Sequence, residues 1–476
     1  MNNADPLPWT AAQILEATEG ELLCGDQVRN FEKVCIDSRT ITPNDLFVAI
    51  VGENHDGHAF IGDVIEKGVH GLMVNSAKIR DLPISAWQRR KIFSVAVSDT
   101  TRALGDLAGF HRTRNDVAVV AITGSNGKTT TRQMTAAVVA RKFNTLSTIG
   151  NYNNQIGVPL TLLRIAPAHR WAVVELGTNS PGEIARLAQI CAPDIAVITN
   201  VGPAHLEGLG SLDGVMREKR QLLDHLKDDG TAVLNADDRR VAKMAARNKR
   251  DVFFFGLSEK AAIRATAINE KASGISFILD LPGESLTVDL KVAGHFMVIN
   301  ALAAAAVGHL LGLPAAEIKA GLETFQPSWG RMNILQTASG IHVIDDTYNA
   351  NPDSMKAAIT TLAYLRANNR SVLVAGDMLE LGDQSESLHR QVGVWAAMAK
   401  INKLLVSGVY ADAVAEGAKK AGMRREYIVT GSQEEILKAL KDGLKPGDWV
   451  LVKGSRGARM DIIVEGLKQW AGIKQD

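Results

Sequence analysis

A phosphate-binding loop is the strongest chemical signal in the sequence. The apolar run Val117–Ile122 leads into Thr-Gly-Ser-Asn-Gly-Lys-Thr-Thr at residues 123–130, and a helix-forming stretch, Arg132–Phe143, follows. Glycines allow backbone N–H groups to converge on phosphate oxygens, and the helix N-terminus adds partial positive charge. In this context Lys128 is expected to reach the terminal phosphates, and Thr129 to place its hydroxyl on Mg²⁺. The pattern therefore predicts a nucleotide-binding protein.

Two other predicted strands of the same region end in polar residues. Glu175 lies at the end of the apolar run Trp171–Leu176, and His205 lies in the loop after Ile195–Thr199. Ligands of parallel sheets bind at the carboxyl ends of the strands, so both side chains are expected near the phosphate loop. A carboxylate and a neutral imidazole beside a nucleotide suit Mg²⁺. A lone histidine in a loop is more often a hydrogen-bonded structural residue, but the joint placement favours the metal site.

Other classes of nucleotide-binding protein fit the sequence less well. Residues 248–251 (Asn-Lys-Arg-Asp) have the letters of a guanine-reading motif, but they precede the strand Val252–Phe255 instead of ending one, which indicates a solvated turn. No Asp-x-x-Gly switch lies between Thr129 and Asn200. A motor ATPase would need a catalytic glutamate after an acidic Mg²⁺ residue on a strand and an arginine finger, and we find neither. A non-catalytic nucleotide-binding module stays open from these residues alone.

Short apolar runs that alternate with helical patterns predict an α/β fold of parallel βαβ units. They form three series, which we assign to three domains at residues 1–115, 116–329 and 330–476, the last boundary lying where Pro, Trp and Gly interrupt the chain near 327–331. The first domain is a small α/β domain, the second a P-loop ATPase domain with a parallel or mixed sheet, and the third a Rossmann-like domain. The predicted strands are Val34–Ile36, Leu46–Ile50, Gly71–Val74 and Phe93–Val97; then Val117–Ile122, Trp171–Leu176, Ile195–Thr199, Thr231–Leu234 and Val252–Phe255; then Ile341–Ile344, Ser371–Ala375, Lys403–Val406 and Trp449–Val452.

Composition excludes several classes of protein. The chain has 476 residues, with 53 Lys and Arg against 52 Asp and Glu, so it lacks the positive charge that would suggest nucleic-acid binding. The longest mostly apolar stretch, Ala301–Leu313, is too short to span a membrane, and the N-terminus shows no export signal. Three cysteines without a Cys-x-x-Cys pair argue against a disulfide framework. A cytoplasmic protein is expected.

Taken together, the motifs resemble the Mur ligase family of ATP-dependent amide-bond synthetases. The segments that carry this resemblance are Thr123–Thr130, Glu175–Gly177, Thr199–His205 and Lys219. Four more are similar to the branch that adds D-alanyl-D-alanine to UDP-N-acetylmuramoyl tripeptide: Gly150–Pro159, Ile344–Pro352, Gly376–Gly382 and Val452–Arg456. The resemblance covers essentially the whole chain in the right order. The run Asp-Asp-Thr-Tyr-Asn-Ala-Asn-Pro separates the chain from the sibling ligase that adds the third peptide residue and from folylpolyglutamate synthetase.

The resemblance implies a catalytic set of Lys128, His205 and Lys219. Thr129 and Glu175 would bind a first Mg²⁺ ion, and His205 a second, together with a carbamate formed from Lys219 and CO₂. From the residues alone, a surface lysine beside Glu218 is the favoured reading of Lys219. The implied ATP-binding residues are Gly124, Ser125, Asn126, Gly127, Lys128, Thr129, Thr130, Asn300, Arg331 and Asp346.

Within that set, Asn300 would contact adenine, although Phe296 and Met297 stand where the family has His and Asn. Arg331 and Asp346 would reach ATP when the third domain closes. Without the neighbouring motif, Asp346 reads as a solubilising charge at a strand end.

The resemblance also implies two small-molecule partners, UDP-N-acetylmuramoyl tripeptide and D-alanyl-D-alanine, and neither nucleic acid nor membrane insertion. The sequence leaves open whether the tripeptide ends in lysine or diaminopimelate, and a monomer is the simplest expectation. Ser38, Arg39 and His55 would contact the UDP end, with a charged turn as the competing interpretation of these residues. The other implied contacts are Asn153 and Asn154 for the muramoyl peptide, and Asn349, Asn351, Lys453 and Arg456 for the dipeptide.

Overall fold

The computed structural model describes residues 5–52, 55–246, 248, 250–271 and 274–472. Within these ranges the chain forms three large sheets with helices packed against them, and one two-stranded sheet. The large sheets occupy separate stretches of the chain, between residues 21 and 97, 118 and 290, and 333 and 453. The α/β fold class is confirmed. The domain limits at 115 and 329 stay predictions. Among the described residues, no helix has the length and apolar character needed to cross a membrane.

The first large sheet has the strand order β2-β7-β6-β5-β4, in which β2 is antiparallel to β7 and the other pairs are parallel. Its antiparallel edge strand was not predicted. The elements are β1 (Trp9–Thr10), α1 (Ala11–Thr18), β2 (Glu21–Cys24), β3 (Asn30–Phe31), β4 (Val34–Cys35), β5 (Leu46–Val48), α2 (Ile61–Glu66), β6 (Gly71–Asn75), α3 (Ile84–Arg89), β7 (Phe93–Val97) and α4 (Thr100–Arg114).

The second sheet has nine strands in the order β16-β15-β14-β13-β12-β11-β8-β10-β9, parallel up to β14 and antiparallel beyond it. Its elements are β8 (Ala118–Thr123), α5 (Lys128–Val139), β9 (Thr145–Ser147), α6 (Gly157–Leu162), β10 (Trp171–Glu175), α7 (Glu183–Cys191), β11 (Ile195–Ile198), α8 (Leu206–Leu209), α9 (Leu212–Asp224), β12 (Thr231–Asn235), α10 (Arg239–Ala245), β13 (Asp251–Gly256), β14 (Ile263–Lys271), β15 (Gly274–Leu281), β16 (Glu284–Leu290), α11 (His295–Leu310) and α12 (Ala315–Glu323).

The antiparallel extension β14–β16 was not predicted, because its strands are not continuous apolar runs. In β15 every second residue is buried, so only one face of the strand meets the core. The guanine-motif letters at 248–251 end in the first residue of β13, as expected for a turn before a strand, and Lys249 lies outside the described residues.

The third sheet has the order β17-β18-β22-β19-β20-β21, parallel except for the edge strand β17. Its elements are β17 (Asn333–Gln336), β18 (His342–Asp346), α13 (Pro352–Leu365), β19 (Ser371–Ala375), α14 (Ser385–Met398), β20 (Lys403–Val406), α15 (Ala411–Lys420), β21 (Ile428–Thr430), α16 (Gln433–Gly443), β22 (Trp449–Lys453) and α17 (Asp461–Ala471). Short 3₁₀ turns lie at Gly57–Phe60, Ser76–Asp81, Gly382–Gln384, Arg425–Tyr427 and Arg456–Ala458.

The order of the central strands brings three functional segments together. Strand β8 lies between β11 and β10 and is parallel to both. The segments that follow these three strands therefore emerge at one edge of the sheet: the phosphate loop after β8, Glu175 at the end of β10, and the His205 loop after β11. This is the convergence that the strand-end argument predicts.

Candidate active site

The phosphate loop turns sharply into helix α5. Gly127 has φ +81°, and a Cβ atom there would lie 2.3 Å from Oδ1 of Asn300, so only glycine fits both the backbone and the space. Lys128 is the first residue of α5, and its Nζ donates hydrogen bonds to the carbonyl oxygens of Gly124 at 2.8 Å and Ser125 at 3.4 Å. The ammonium group thus lies over the loop that would receive phosphate oxygens.

Residues that follow β11 form hydrogen bonds with the phosphate loop. The backbone N–H of Asn126 donates to Oδ1 of Asn200 at 2.8 Å, and the Asn126 carbonyl accepts from Oγ1 of Thr199 at 2.6 Å and Nδ2 of Asn200 at 3.1 Å. The Ser125 hydroxyl donates to the Gly202 carbonyl at 3.0 Å. These bonds lie within one sheet and its loops, so they hold the loop in place.

Glu175 is a buried carboxylate with one satisfied oxygen and one free oxygen. Its Oε1 accepts from Oγ1 of Thr129 at 3.1 Å and from Nδ2 of Asn153 at 2.8 Å. Within the described part of the chain its Oε2 has no hydrogen-bond partner, and Nε of Arg132 is 3.9 Å away. An unpartnered buried carboxylate oxygen is costly unless a cation is supplied. The pair of Thr129 and Glu175 beside the phosphate loop therefore fits Mg²⁺.

Among the described residues, no cluster of three or more His, Cys, Asp or Glu side chains is placed to hold a metal ion. Thr129 and Glu175 are the residues that would hold Mg²⁺ beside the phosphate loop, where the ion would neutralise phosphate oxygens.

Lys219 is buried in helix α9, with a relative exposure of 1%. Burial lowers the pKa of Lys219 well below its ordinary value, and the charge of Lys128 lowers it further, while Glu218 opposes the shift. The carboxylate of Glu218 accepts instead from the backbone N–H groups of Gly182 at 2.8 Å and Ile184 at 2.7 Å. The interpretation of Lys219 as a surface lysine is therefore wrong, because the side chain is enclosed and favours its neutral form.

His205 faces a carboxylate from the third sheet. It has φ +54° and precedes the four-residue helix α8, and its Nδ1 lies 2.5 Å from Oε2 of Glu380. The backbone N–H of Glu207 donates to the Glu380 carbonyl at 3.1 Å. The hydrogen bond from His205 lowers the pKa of Glu380, so the carboxylate stays ionised. Sequence reasoning missed this contact.

The carboxyl ends of β18 and β22, the loop after β18 and the segment before β17 supply the opposite wall. Lys453 is buried, and its Nζ donates to Oδ2 of Asp346 at 2.6 Å and to the Asn349 carbonyl at 2.8 Å. The guanidinium of Arg331 lies over the Tyr348 ring, with Cζ 4.2 Å from the ring centre. These groups therefore form a polar surface of their own domain.

The charge of Arg331 also affects the pKa of Lys128 beside the phosphate loop. Burial lowers the pKa of Lys128; the charge of Glu175 opposes this shift, and the charge of Arg331 adds to it. Asn351 makes a further direct link between the two walls, because its Nδ2 donates to Oδ1 of Asn126 at 2.8 Å.

Both walls enclose one cavity of about 900 Å³. The predicted residues that line it are Ser125, Asn126, Gly127, Lys128, Thr129, Thr130, Asn153, Asn154, Glu175, His205, Asn300, Arg331, Asp346, Asn349, Asn351, Lys453 and Arg456. A cavity of this size, with a phosphate loop on one side and polar side chains on the other, suits a nucleotide and a second reactant.

Family models match all three parts of the chain. The model described as "Mur ligase family, catalytic domain" matches residues 30–112, "Mur ligase middle domain" matches 122–308, and "Mur ligase, glutamate ligase domain" matches 330–456. The chain belongs to the Mur ligase family. The predicted resemblance is confirmed, and with it an ATP-dependent ligase.

Relatives extend this result to the full length of this Mur ligase. UDP-N-acetylmuramoyl-tripeptide--D-alanyl-D-alanine ligase of Escherichia coli is 37% identical, over 97% of this chain and 98% of that protein. A crystal structure of MurF from Acinetobacter baumannii is 35% identical, with a TM-score of 0.89, over 98% of this chain and 100% of that chain. The crystal structure of MurF ligase from Thermotoga maritima in complex with ADP is 27% identical, with a TM-score of 0.82, over 92% of this chain and 97% of that chain.

Three predicted residues of this Mur ligase lie in the first domain and do not line the cavity: Ser38, Arg39 and His55. Arg39 donates to Asp37 at 2.7 Å and holds the pKa of that carboxyl at about 2. The Ser38 carbonyl accepts from Nζ of Lys67 at 2.6 Å, and His55 is exposed. Their contact with the UDP group stays a prediction.

The cavity also has lining residues that sequence reasoning did not select: Asn151, Asn179, Glu183, Asn200, Asn235, Tyr348, Asp353, Leu379, Glu380 and Ser455. Six of them, Asn151, Asn200, Tyr348, Leu379, Glu380 and Ser455, lie inside the motif segments, so the neighbouring motif residues could have indicated them. Asn300 lines the cavity together with Phe296 and Met297, and its Oδ1 accepts from Oγ1 of Thr131 at 3.2 Å. Its contact with adenine stays a prediction.

Proposed function

We propose that this Mur ligase joins D-alanyl-D-alanine to the terminal carboxylate of UDP-N-acetylmuramoyl tripeptide in peptidoglycan precursor synthesis, with conversion of ATP to ADP and phosphate. The observation that carries the proposal is the shared cavity, in which a phosphate loop faces a wall from the third domain. The names of the full-length relatives support the choice of substrates.

The reaction needs two displacements. A carboxylate oxygen of the tripeptide attacks the γ-phosphorus, the bond to ADP breaks, and an acyl phosphate forms. The dipeptide amine then attacks the acyl carbon, phosphate leaves with the bridging oxygen, and the amine loses a proton. The obstacle is the approach of a carboxylate to a triphosphate, because both are anions. Lys128 and Arg331 place positive charge around the transferring group.

Thr129 and Glu175 would hold one Mg²⁺ ion, and His205 with carbamylated Lys219 would hold a second. When bound, Mg²⁺ neutralises phosphate oxygens and orients them for displacement. Lys219 would react with CO₂ as a neutral amine, giving a carbamate and releasing a proton. Its burial supports this step, since burial favours the neutral amine.

The remaining substrate contacts are divided among three domains, which we place at residues 1–115, 116–329 and 330–476. Ser38, Arg39 and His55 would bind the UDP end, and Asn153 and Asn154 the muramoyl peptide. Asn349, Asn351, Lys453 and Arg456 would serve the dipeptide. Asn153 supports this arrangement, because its amide already bonds to Glu175 beside the phosphate loop. We further propose that the protein acts as a monomer in the cytoplasm.

Phosphate release by the purified protein tests the proposed reaction. UDP-N-acetylmuramoyl tripeptide, Mg²⁺ and ATP are held fixed while the amine is varied among D-Ala-D-Ala, L-Ala-L-Ala, D-Ala, diaminopimelate and L-lysine. We expect release to depend on D-Ala-D-Ala, with L-Ala-L-Ala as the matched control of opposite chirality. Equal release with every amine would refute the assignment. In a second series, UDP-N-acetylmuramoyl dipeptide replaces the tripeptide. Release only in that series, with a free amino acid as the amine, would favour the sibling ligase.

A further inference from the structure

Glu380 contacts the His205 loop at two points across the domain boundary. Its Oε2 lies 2.5 Å from Nδ1 of His205, and its carbonyl accepts the backbone N–H of Glu207 at 3.1 Å. His205 and Glu380 have φ +54° and +64°, a backbone region that non-glycine residues adopt only when their surroundings hold them there. The segment Gly376–Gly382 is singled out by its sequence, but the proposed reaction uses none of its residues.

The short contact between the two side chains selects one tautomer of the imidazole. Carboxylate oxygens are hydrogen-bond acceptors, so Nδ1 of His205 is the donor in this 2.5 Å contact. In the neutral ring, Nε2 then keeps its lone pair and is the nitrogen available to a metal ion. Histidines that bind metals commonly donate their other ring N–H to a carboxylate, which sets the tautomer and the ring orientation.

We propose that Glu380 is a positioning residue that prepares His205 for Mg²⁺ and does so only when the third domain is docked on the central domain. This inference rests on the proposed function. Glu380 follows β19 of the third sheet, whereas His205 follows β11 of the central sheet, so separation of the domains breaks the pair. Docking of the third domain thereby completes the second metal site as well as the ATP cavity.

A second hydrogen bond across the same boundary serves as a control. It distinguishes the positioning of His205 from the docking of the third domain. The Tyr364 hydroxyl of helix α13 donates to the Glu270 carbonyl of strand β14 at 2.5 Å. Neither residue lines the cavity. Tyr364→Phe therefore removes a hydrogen bond between the domains without touching His205.

The experiment measures the Mg²⁺ concentration that gives half-maximal enhancement of binding of a non-hydrolysable ATP analogue, by calorimetry and without peptide substrates. For Glu380→Ala we expect this concentration to rise about 10- to 100-fold, the usual cost of losing the partner of a metal-binding histidine. Glu380→Gln should shift it less, because the amide oxygen still accepts from Nδ1. Tyr364→Phe should stay within about twofold, since it leaves the hydrogen bond to His205 intact. Thermal unfolding checks that each variant is folded.

A double-variant cycle completes the test. If Glu380 acts through His205, the pair His205→Ala and Glu380→Ala should require no more Mg²⁺ than His205→Ala alone. Additive effects, a wild-type requirement in Glu380→Ala, or an equal shift in Tyr364→Phe would overturn the proposal. Because only nucleotide and Mg²⁺ are present, this result is independent of the amine panel that tests the proposed reaction.

Discussion

The two walls of the cavity are built in different ways. The wall from the central domain is a continuous network, in which Thr199 and Asn200 hold the phosphate loop by hydrogen bonds within one domain. The opposite wall is organised around the ion pair of buried Lys453 and partly buried Asp346 in its own domain. Between the walls, single polar contacts such as that of Asn351 with Asn126 form the link. Chemistry therefore depends on how the two walls meet.

The largest effect is expected from a substitution in the wall that would bind phosphate. Lys128→Ala removes the ammonium that lies over the loop, and turnover should fall by about 10²- to 10³-fold, as for the loss of one group that stabilises the transition state. The fold should survive, because the Nζ contacts are to loop carbonyls.

The control for Lys128 is Lys142→Ala, at an exposed lysine just beyond the same helix. It should leave turnover unchanged. Near-normal turnover in folded Lys128→Ala would refute the assignment of the phosphate loop.

The next effect concerns the carbamate on Lys219. Lys219→Ala should lose about 10²-fold in turnover, while binding ATP at the first metal site. Acetate or formate should restore part of the activity by occupying the vacated position, and Lys219→Arg should stay inactive, because it keeps the positive charge. Turnover with and without added carboxylate is the measurement.

Arg217→Ala, an exposed cation on the same helix, is the control for Lys219. It should be active and insensitive to acetate. A fully active Lys219→Ala variant, or an active Lys219→Arg variant, would contradict the carbamate.

The smallest expected effects concern domain closure and the hydrogen bond that links the two walls. Nucleotide with substrate should reduce the radius of gyration in small-angle scattering, because Arg331 and Asp346 belong to the third domain and would meet ATP on closure.

Asn351 both caps α13, through its Oδ1, and donates to Asn126. Asn351→Asp keeps the cap and loses the donor, so closure should weaken by about 0.5–1.5 kcal/mol.

Asn351→Ala is the companion variant, since it removes the cap as well as the link. It should lower the unfolding temperature in addition to weakening closure. A radius of gyration that does not change with ligand in the wild type would show that the domains are locked together.

The difference between the walls also explains what could be predicted from sequence. The phosphate loop is a local motif, and Glu175 and His205 follow from strand ends, so residue types and spacing were sufficient for them. Their partners are not local: 175 residues separate His205 from Glu380, and no pattern in one segment indicates the other. The burial of Lys219 is likewise a property of packing, and the residues around it suggest a surface position.

The same reasoning holds for the fold. Buried parallel strands such as β8 are continuous apolar runs and were found, whereas β14–β16 bury one face and were missed. The residues of the third-domain wall, including Arg331 and Asp346, were assigned only through the family resemblance. Their position in the cavity depends on docking between domains, which the spacing of residues does not encode.

Isotope transfer from the carboxylate to phosphate tests the central claim most directly. UDP-N-acetylmuramoyl tripeptide labelled with ¹⁸O in its terminal carboxylate is converted with Mg²⁺, ATP and D-Ala-D-Ala, and the released phosphate is analysed by mass spectrometry. If the cavity activates the carboxylate by phosphoryl transfer, one labelled oxygen should appear in each phosphate, because the bridging oxygen leaves with phosphorus. Unlabelled phosphate alongside amide product would contradict the acyl phosphate route.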